Sequence, residues 1–544
     1  MAGLLLLSRA PLPADVREGP QPTFVDIAQS AGLRWPIAAI NKGPRYLVET
    51  MGGGGGFLDY DGDGLLDVYL VAYTELPQGS PPVAPHDALY RNNGDGTFTD
   101  VTRKAGIDHH MAGMGLATGD FDNDGWTDFF VTGFRESHLY RNNGDGTFTD
   151  VTAKAGVNDL RWGVGAAFFD YDGDGRLDLF VANYIDLDLE APFPCRLIEQ
   201  LPYCRIADFK GSPPTLYRNN GDGTFKDVTR ETGLLEHRGK GMGVVAVDYD
   251  NDGRIDVFQA NDSDPNFLFR NRGDGTFAEV ALTAQVAYDP QGRVRAGMGV
   301  DAADLQGRGL FDLFVTNFTG ETNAYFRNLG DRTFEEVTYA LGLGTVSLPV
   351  SGFGARFLDY DNDGLADLVV ANGHPFEIID KVNPPYHYAE PPFLFRNDGS
   401  QFTEVAALHG EALRQARSGR GLAVGDIDND GAPDILLLSI GRPPALLRND
   451  GGNRNHWLGF RLIGHRSNRD AVGARVLVTA GGRRQEGRRL GGTSYGSASD
   501  PRLLFGLGAA RSAERVEVVW PSGRRTLRED VIADQYLTVE EPDS

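Results

Sequence analysis

The sequence is poor in several features that would each have decided its class. Only two of its 544 residues are cysteine, Cys195 and Cys204, with eight residues between them. One pair cannot build a disulfide scaffold, so the fold must rest on its own core. The 10 histidines are scattered without metal-ligand spacing, which gives zinc little support. Basic residues are outnumbered, 52 Lys+Arg against 76 Asp+Glu, for a formal net charge of −24 and a pI near 4.8. Phosphate binding needs a basic face, so a nucleic-acid partner is not expected. The acidity points instead to bound cations or to plain solubility. No run approaches the ~20 apolar residues of a transmembrane helix. Residues 1–22 carry Leu4-Leu5-Leu6-Leu7, then small residues and prolines. They read either as a signal-peptide remnant without its basic start or as a disordered leader.

What is abundant is apolar residues, glycine and aspartate. The 41 % hydrophobic content can bury a large core. A chain of this length exceeds one ordinary core and suits a repeat array or several domains. The 71 glycines mostly recur in register with a motif, Asp-x-Asp-x-Asp-Gly-x-x-Asp. Intact copies start at Asp59, Asp120, Asp170, Asp248, Asp359 and Asp426, and a degenerate one at Asp304, with a mean spacing near 61 residues. Glycines stand seven and five residues before each start, Gly52 and Gly54 in the first copy and Gly419 and Gly421 in the last. Glycines at i and i+2 share one strand face, and their recurrence implies close approach of another backbone. An apolar strand follows each loop, such as Asp67-Val-Tyr-Leu-Val, and then a hairpin. Residues 89–102 and 139–152 are both LYRNNGDGTFTDVT, a hairpin-turn signal between strand residues.

Each unit therefore reads as strand, acidic loop, strand, strand, turn, strand. Seven such four-stranded units make an all-β, seven-bladed propeller over residues 23–452. The last unit stops at Leu446-Leu447-Arg448-Asn449 and lacks its outer strand. Thr23-Phe24-Val25-Asp26-Ile27 supplies one, so residues 23–33 are expected to close the ring, which leaves no exposed edge at the seam.

The loops suit calcium, which takes six to eight oxygen ligands. Aspartates at positions 1, 3, 5 and 9 would coordinate, the position-6 glycine would allow the bend, and position 7 would offer its backbone carbonyl. The expected ligands are Asp59, Asp61, Asp63, Leu65 and Asp67; Asp120, Asp122, Asp124, Trp126 and Asp128; and Asp170, Asp172, Asp174, Arg176 and Asp178. The later loops give Asp248, Asp250, Asp252, Arg254 and Asp256; Asp359, Asp361, Asp363, Leu365 and Asp367; and Asp426, Asp428, Asp430, Ala432 and Asp434. An EF-hand needs Glu at position 12, where the first three loops have Leu70, Val131 and Val181. The loops hold 24 carboxylates, and about six Ca²⁺ would halve the formal charge of −24. Carboxylates clustered without a cation would repel. The degenerate loop has Gln306 and Arg308 at positions 3 and 5, so no calcium is expected between Asp304 and Asp312.

The repeated Phe-Leu-Asp-Tyr-Asp-Gly-Asp-Gly-Leu-Leu-Asp pattern resembles the FG-GAP/VCBS repeats of integrin α-subunit propellers. That resemblance implies calcium in the loops of one face and partner binding on the other. From Asn453 the composition turns basic. Asn455-His456-Trp457, Gly473-Ala474-Arg475-Val476, Phe505-Gly506-Leu507-Gly508 and Val519-Trp520-Pro521-Ser522-Gly523 resemble the ASPIC/UnbV domain. Residues 453–544 are accordingly expected to form a small β domain without a catalytic constellation. The combination resembles the cartilage acidic protein family and its bacterial relatives. It implies a secreted, periplasmic or cell-surface protein, a non-enzymatic binding or adhesion module with a protein or glycan partner and structural calcium. Two cysteines cannot build the EGF-like module of some animal members.

Three further signals bear on function. Arg272-Gly273-Asp274 spells an integrin-recognition tripeptide, but it stands in register with the other hairpin turns, and turn chemistry accounts for it. Cys195 and Cys204 fall in a long insertion, residues 185–214, a candidate binding loop with a local disulfide in an oxidising compartment. Arg161, Trp162, Lys240, Arg295, Arg417 and Arg420 stand near the start of inner strands in four units. Gathered at one channel mouth they would form a cationic funnel for an anionic ligand. That funnel carries the alternative reading, a lectin or a lyase-type enzyme acting on polysaccharide.

Overall fold

The structure is a computed structural model that describes residues 21–35, 47–71, 86–188 and 203–543. It is all-β, with seven sheets of propeller-blade order, six of four strands and one in which a fifth strand joins the four blade strands. The first blade runs Gly55–Leu58, Asp67–Leu70, Ala88–Asn92, Phe98–Asp100, and the second Gly113–Gly119, Asp128–Gly133, Ser137–Asn142, Phe148–Asp150. Five more follow. In the last, the strands Gly419–Gly425, Asp434–Ser439 and Ala445–Asp450 are completed by Thr23–Asp26, which pairs antiparallel from Thr23 opposite Asp450 to Asp26 opposite Leu447. The chain after it stays in the ring: Phe98 N–H donates to Ala31 O (2.7 Å), tying the first blade to the last.

The recurring glycines mark the axis. A Cβ on Gly54 would lie 2.2 Å from Met114 O of the second blade, and one on Gly165 would lie 2.2 Å from Met242 O of the fourth. The same contact runs from blade to blade and returns at Gly421, whose Cβ would meet Gly53 O of the first blade at 2.7 Å. Between each glycine pair, Met114, Val164, Met242, Met298, Phe353 and Arg420 lie buried at the axis, with Gly53 in the first blade.

The C-terminal domain has two sheets. One contains His456–Ile463, Leu503–Gly508 and Gln535–Glu540, the other Arg475–Ala480, Arg483–Arg488, Ser512–Val519 and Arg525–Ile532. They pack around Leu458, Phe460, Val476, Val478, Phe505, Val516, Val518 and Trp520. Between strands Arg483–Arg488 and Leu503–Gly508 the chain leaves this core and enters the propeller channel. Ser497–Ala498 pairs parallel to Gly55–Gly56. Gly496 O accepts the N–H of Gly55 and of Leu116 (3.2 Å each), and Gly491 O accepts that of Ala246 (2.7 Å). Ser494 N–H donates to Val300 O (2.6 Å), while its Oγ accepts Ala355 N–H (3.2 Å) and donates to Leu422 O (2.8 Å). Gly491 packs on Phe168, so residues 491–500 touch all seven inner strands. Tyr495 reaches the far mouth, buried among Met51, Met114, Met242, Met298 and Phe353, and donates its hydroxyl to Met51 O at 2.6 Å.

Gly165→Ala is expected to destabilise the chain by about 1–3 kcal/mol, because its Cβ would strike backbone rather than a movable side chain. Tyr495→Ala empties the channel mouth and is expected to destabilise by about 3–5 kcal/mol. Denaturant unfolding measures both.

Candidate functional site

Each acidic loop joins an inner strand to the next strand outward, so all seven lie on one face of the ring. The position-9 aspartates Asp67, Asp128, Asp178, Asp256, Asp367 and Asp434 are buried at the start of that second strand. Asp67 Oδ2 accepts the N–H of Tyr60 (3.0 Å) and Oδ1 that of Asn92 (2.8 Å). The other five repeat this on Phe121, Tyr171, Tyr249, Tyr360 and Ile427 and on Asn142, Asn219, Asn271, Asn397 and Asn449. Asp59 Oδ2 at position 1 accepts Gly64 N–H at 3.1 Å. The position-5 aspartates Asp63, Asp124, Asp174, Asp252, Asp363 and Asp430 accept the N–H of Leu65, Trp126, Arg176, Arg254, Leu365 and Ala432, closing a tight turn. The Arg176 and Arg254 side chains fold back onto Asp174 and Asp252.

Positions 1, 3 and 9 converge. In the groups Asp59/Asp61/Asp67, Asp120/Asp122/Asp128, Asp170/Asp172/Asp178 and Asp248/Asp250/Asp256, one oxygen from each residue lies within 4.8 Å of the other two. Asp59 Oδ1, Asp61 Oδ1, Asp122 Oδ1 and Asp250 Oδ1 are buried and make no hydrogen bond. Burial pushes the Asp67 carboxyl up to about 8 and Asp128 up to about 9, against the hydrogen bonds they accept and with added repulsion from positions 1 and 3. Asp120 is likewise pushed up to about 7, first by burial and then by Asp470. Converging oxygens that lack donors and resist ionising together fit a hard divalent cation, which the six aspartate sets could hold.

Arginines of the outer hairpins also enter these loops. Arg91 Nε lies 2.5 Å from Asp61 Oδ2 and its Nη2 2.9 Å from Asp63 Oδ2; Arg141 does the same to Asp122 and Asp124. Arg218 reaches Asp172 (2.7 Å), and Arg270 reaches Asp250 (2.7 Å) and Asp252 (3.0 Å). They hold one oxygen of each position-3 carboxylate and leave the other for the loop interior. Their signal was present in the repeated Arg-Asn of each hairpin. In the degenerate loop, Arg308 Nη2 lies 3.6 Å from Asp312 Oδ1, so a guanidinium stands beside the position-9 carboxylate there.

The C-terminal domain covers this face. Tyr536 donates its hydroxyl to Asp426 Oδ2 (2.8 Å), and Arg502 donates to Asp426 O (2.9 Å). Arg488 donates to Asp248 O, Arg483 to Asp363 O and Asn455 to Asp361 O, while Asp120 N–H donates to Asp470 Oδ2. Clefts remain between the domains, one of about 550 Å³ lined by Asp301, Arg356, Asp426, Arg488, Arg502 and Tyr536.

The expected cationic funnel does not form. Trp162 is buried, and Arg420 lies over the Phe353 ring at 4.0 Å and donates to Thr50 O and Gly419 O. Arg161 pairs with Asp159 (2.8 Å), Lys240 with Asp264 (2.9 Å), Arg295 with Glu336 (3.1 Å) and Arg417 with Asp26 (3.0 Å). Each of these four cations is matched by an acid, and Tyr495 fills the channel mouth between them. The described part of the 185–214 insertion is also folded onto that mouth, with the Tyr203 ring stacked 4.5 Å from Phe376. Cys204 is disulfide-bonded, and Cys195 lies outside the described residues. Arg272-Gly273-Asp274 is a turn in which Asp274 accepts Thr276 N–H and hydroxyl, like the other hairpins.

The FG-GAP-like repeat profile matches residues 59–131, 120–181, 206–259, 248–315 and 304–370, more than half of the chain. The chain belongs to the FG-GAP-like repeat family. The ASPIC and UnbV profile matches residues 464–544 of this FG-GAP-repeat protein. Human cartilage acidic protein 1 is 28 % identical over 331 residues, 56 % of this chain and 44 % of the relative. The Xenopus tropicalis protein of that name is 28 % identical over 314 residues, 55 % of this chain and 44 % of the relative. The chain thus spans less than half the length of the curated relatives it matches. An Agrocybe aegerita lectin structure, described by its recognition of non-reducing terminal N-acetylglucosamine, superposes with a TM-score of 0.39 at 18 % identity over 65 % of this chain and 79 % of that one, a likeness that carries no functional weight.

Carboxyl groups with raised folded-state pKa values favour the protonated fold. In chelator, stability is therefore expected to fall as pH rises from about 4 through the Asp67 and Asp128 values of about 8 and 9. A bound divalent cation holds these groups ionised and removes that fall. Denaturant midpoints measured across pH, with and without chelator, check both.

Proposed function

We propose that this protein is an extracytoplasmic, non-enzymatic binding module whose six intact loops each hold a structural calcium ion. The observation that carries the reading is the set of buried, donor-less oxygens of Asp59, Asp61, Asp122 and Asp250 within the position 1, 3 and 9 groups. In each loop the aspartates at positions 1, 3, 5 and 9 and the carbonyl of position 7 would be the ligands, and the loop beginning at Asp304 would hold none. Calcium supplies the positive charge that lets these carboxylates ionise together, and no reaction step is assigned to it. The disulfide at Cys204 suits an oxidising compartment, and relatives named for cartilage agree with it.

Because the C-terminal domain sits on the loops, the ions would also set the surface onto which it docks. A protein or glycan partner would then use the opposite face, where the described ends of the insertion lie. The lectin or lyase reading needs an open cationic mouth, and four of the five cations are paired with acids while Arg420 and Trp162 are buried within the fold, which leaves it without support.

Elemental analysis after exhaustive dialysis is expected to find about six calcium ions per chain, and Asp128→Asn one fewer. Chelation is expected to lower the melting temperature steeply, since each site at 100-fold excess over its Kd adds about 2.7 kcal/mol. Near-zero calcium with an unchanged melt would overturn the assignment.

A further inference from the structure

The histidines lack local metal spacing, but the fold brings two of them together with a carboxylate. His109 lies in the connection that leads into the second blade, and Glu136 and His138 lie in the turn and first residues of its third strand, Ser137–Asn142. These are the ends of the blade strands remote from the acidic loops. One donor atom of each residue lies within 4.8 Å of the other two. His109 Nε2 and His138 Nε2 each stand 3.9 Å from Glu136 Oε2, and the imidazole centroids are 4.1 Å apart with the rings tilted by 56°. His109 Nε2, His138 Nε2 and Glu136 Oε1 are buried and make no hydrogen bond. A separation of 3.9 Å is too long for a hydrogen bond. It is close to the roughly 3.3 Å between donors around a tetrahedral ion with bonds of about 2.0–2.1 Å.

A second contact fixes the chemistry of one donor. His138 Nδ1 lies 2.8 Å from Asp150 Oδ2. A carboxylate only accepts, so Nδ1 carries a proton, and Nε2 is the nitrogen left facing the cluster. This carboxylate–histidine relay is the outer-shell arrangement that orients metal-bound imidazoles. The cluster lies near the surface, with the side chains of His109, Glu136 and His138 37 %, 26 % and 15 % exposed.

We propose that His109, Glu136 and His138 bind one transition-metal ion of the Zn²⁺ class, oriented by Asp150. Two imidazoles and one carboxylate select Zn²⁺ over Ca²⁺ or Mg²⁺, which favour all-oxygen shells. The site is therefore distinct from the acidic loops in both place and ligand chemistry.

The test uses the full chain saturated with calcium, so that any loop sites are occupied. It is titrated with Zn²⁺ by calorimetry and with Co²⁺ by visible absorption. The expected result is one saturable Zn²⁺ per chain, d–d bands of low-symmetry Co²⁺, and displacement of Co²⁺ by Zn²⁺. His109→Ala and the near-isosteric Glu136→Gln are each expected to weaken binding by at least about tenfold, and Asp150→Asn by about 10–100-fold. Their zinc-free melting temperatures should match that of the unsubstituted protein, which separates loss of a ligand from loss of the fold. Absence of saturable Zn²⁺ binding, or equal affinity in folded His109→Ala and Glu136→Gln, overturns the proposal and leaves a cluster that shares protons only.

Discussion

The ring depends on a buried carboxylate. In every blade the position-9 aspartate sits inside the sheet and accepts two backbone N–H groups, except in the fifth, where Asp312 takes Asn328 N–H and the Tyr325 hydroxyl. The asparagine beside it extends the connection. Asn142 donates to Thr127 O of its own loop and to Tyr60 O of the first blade; Asn219 does so to Leu177 O and Phe121 O, and Asn92 to Leu66 O and Ile427 O. Loop, outer hairpin and preceding blade are thus one hydrogen-bonded unit, repeated across the seam. Burying charge at that junction is unfavourable unless it is compensated. Hence the cationic rim of hairpin arginines, and hence the carboxylate oxygens left without donors inside the loops.

The change of composition after residue 452 follows from the same constraint. A face lined with carboxylates needs a basic lid, and Arg469, Arg483, Arg488 and Arg502 meet the loop oxygens from above. Asp470 and Asp500 keep that rim from being uniformly positive, and Arg502 pairs with Asp500 at 2.8 Å while reaching Asp426 O. The lid is anchored at its centre as well as its rim, because one of its loops runs down the axis.

The repeat, the glycine pairs and the strand at Thr23 were legible in the sequence because each is a local pattern copied in register. Positions 1, 3 and 9 could be placed for the same reason. The arginines at the loops were visible as part of the hairpin repeat, yet their contact crosses 17 to 46 residues and needed the blade's register to be seen. The funnel was misread because sequence order puts Lys240 and Arg295 near the axis without showing Asp264 or Glu336 beside them. The histidine cluster was hidden by the 28 residues between His109 and His138. Residues 491–500, Gly-Gly-Thr-Ser-Tyr-Gly-Ser-Ala-Ser-Asp, carry no repeat signal, although small side chains are what a narrow bore admits.

That axial segment changes how such a protein can evolve. Repeat arrays usually gain or lose units freely, because each unit meets only its neighbours. Here Ser494 alone bonds to the fifth, sixth and seventh blades, and Gly496 bonds to the first and second. A duplicated or deleted blade would alter the bore, and the segment would lose partners on several sides at once. The C-terminal domain thereby acts as a gauge of ring size, tying the number of repeats to a sequence that is not itself repeated.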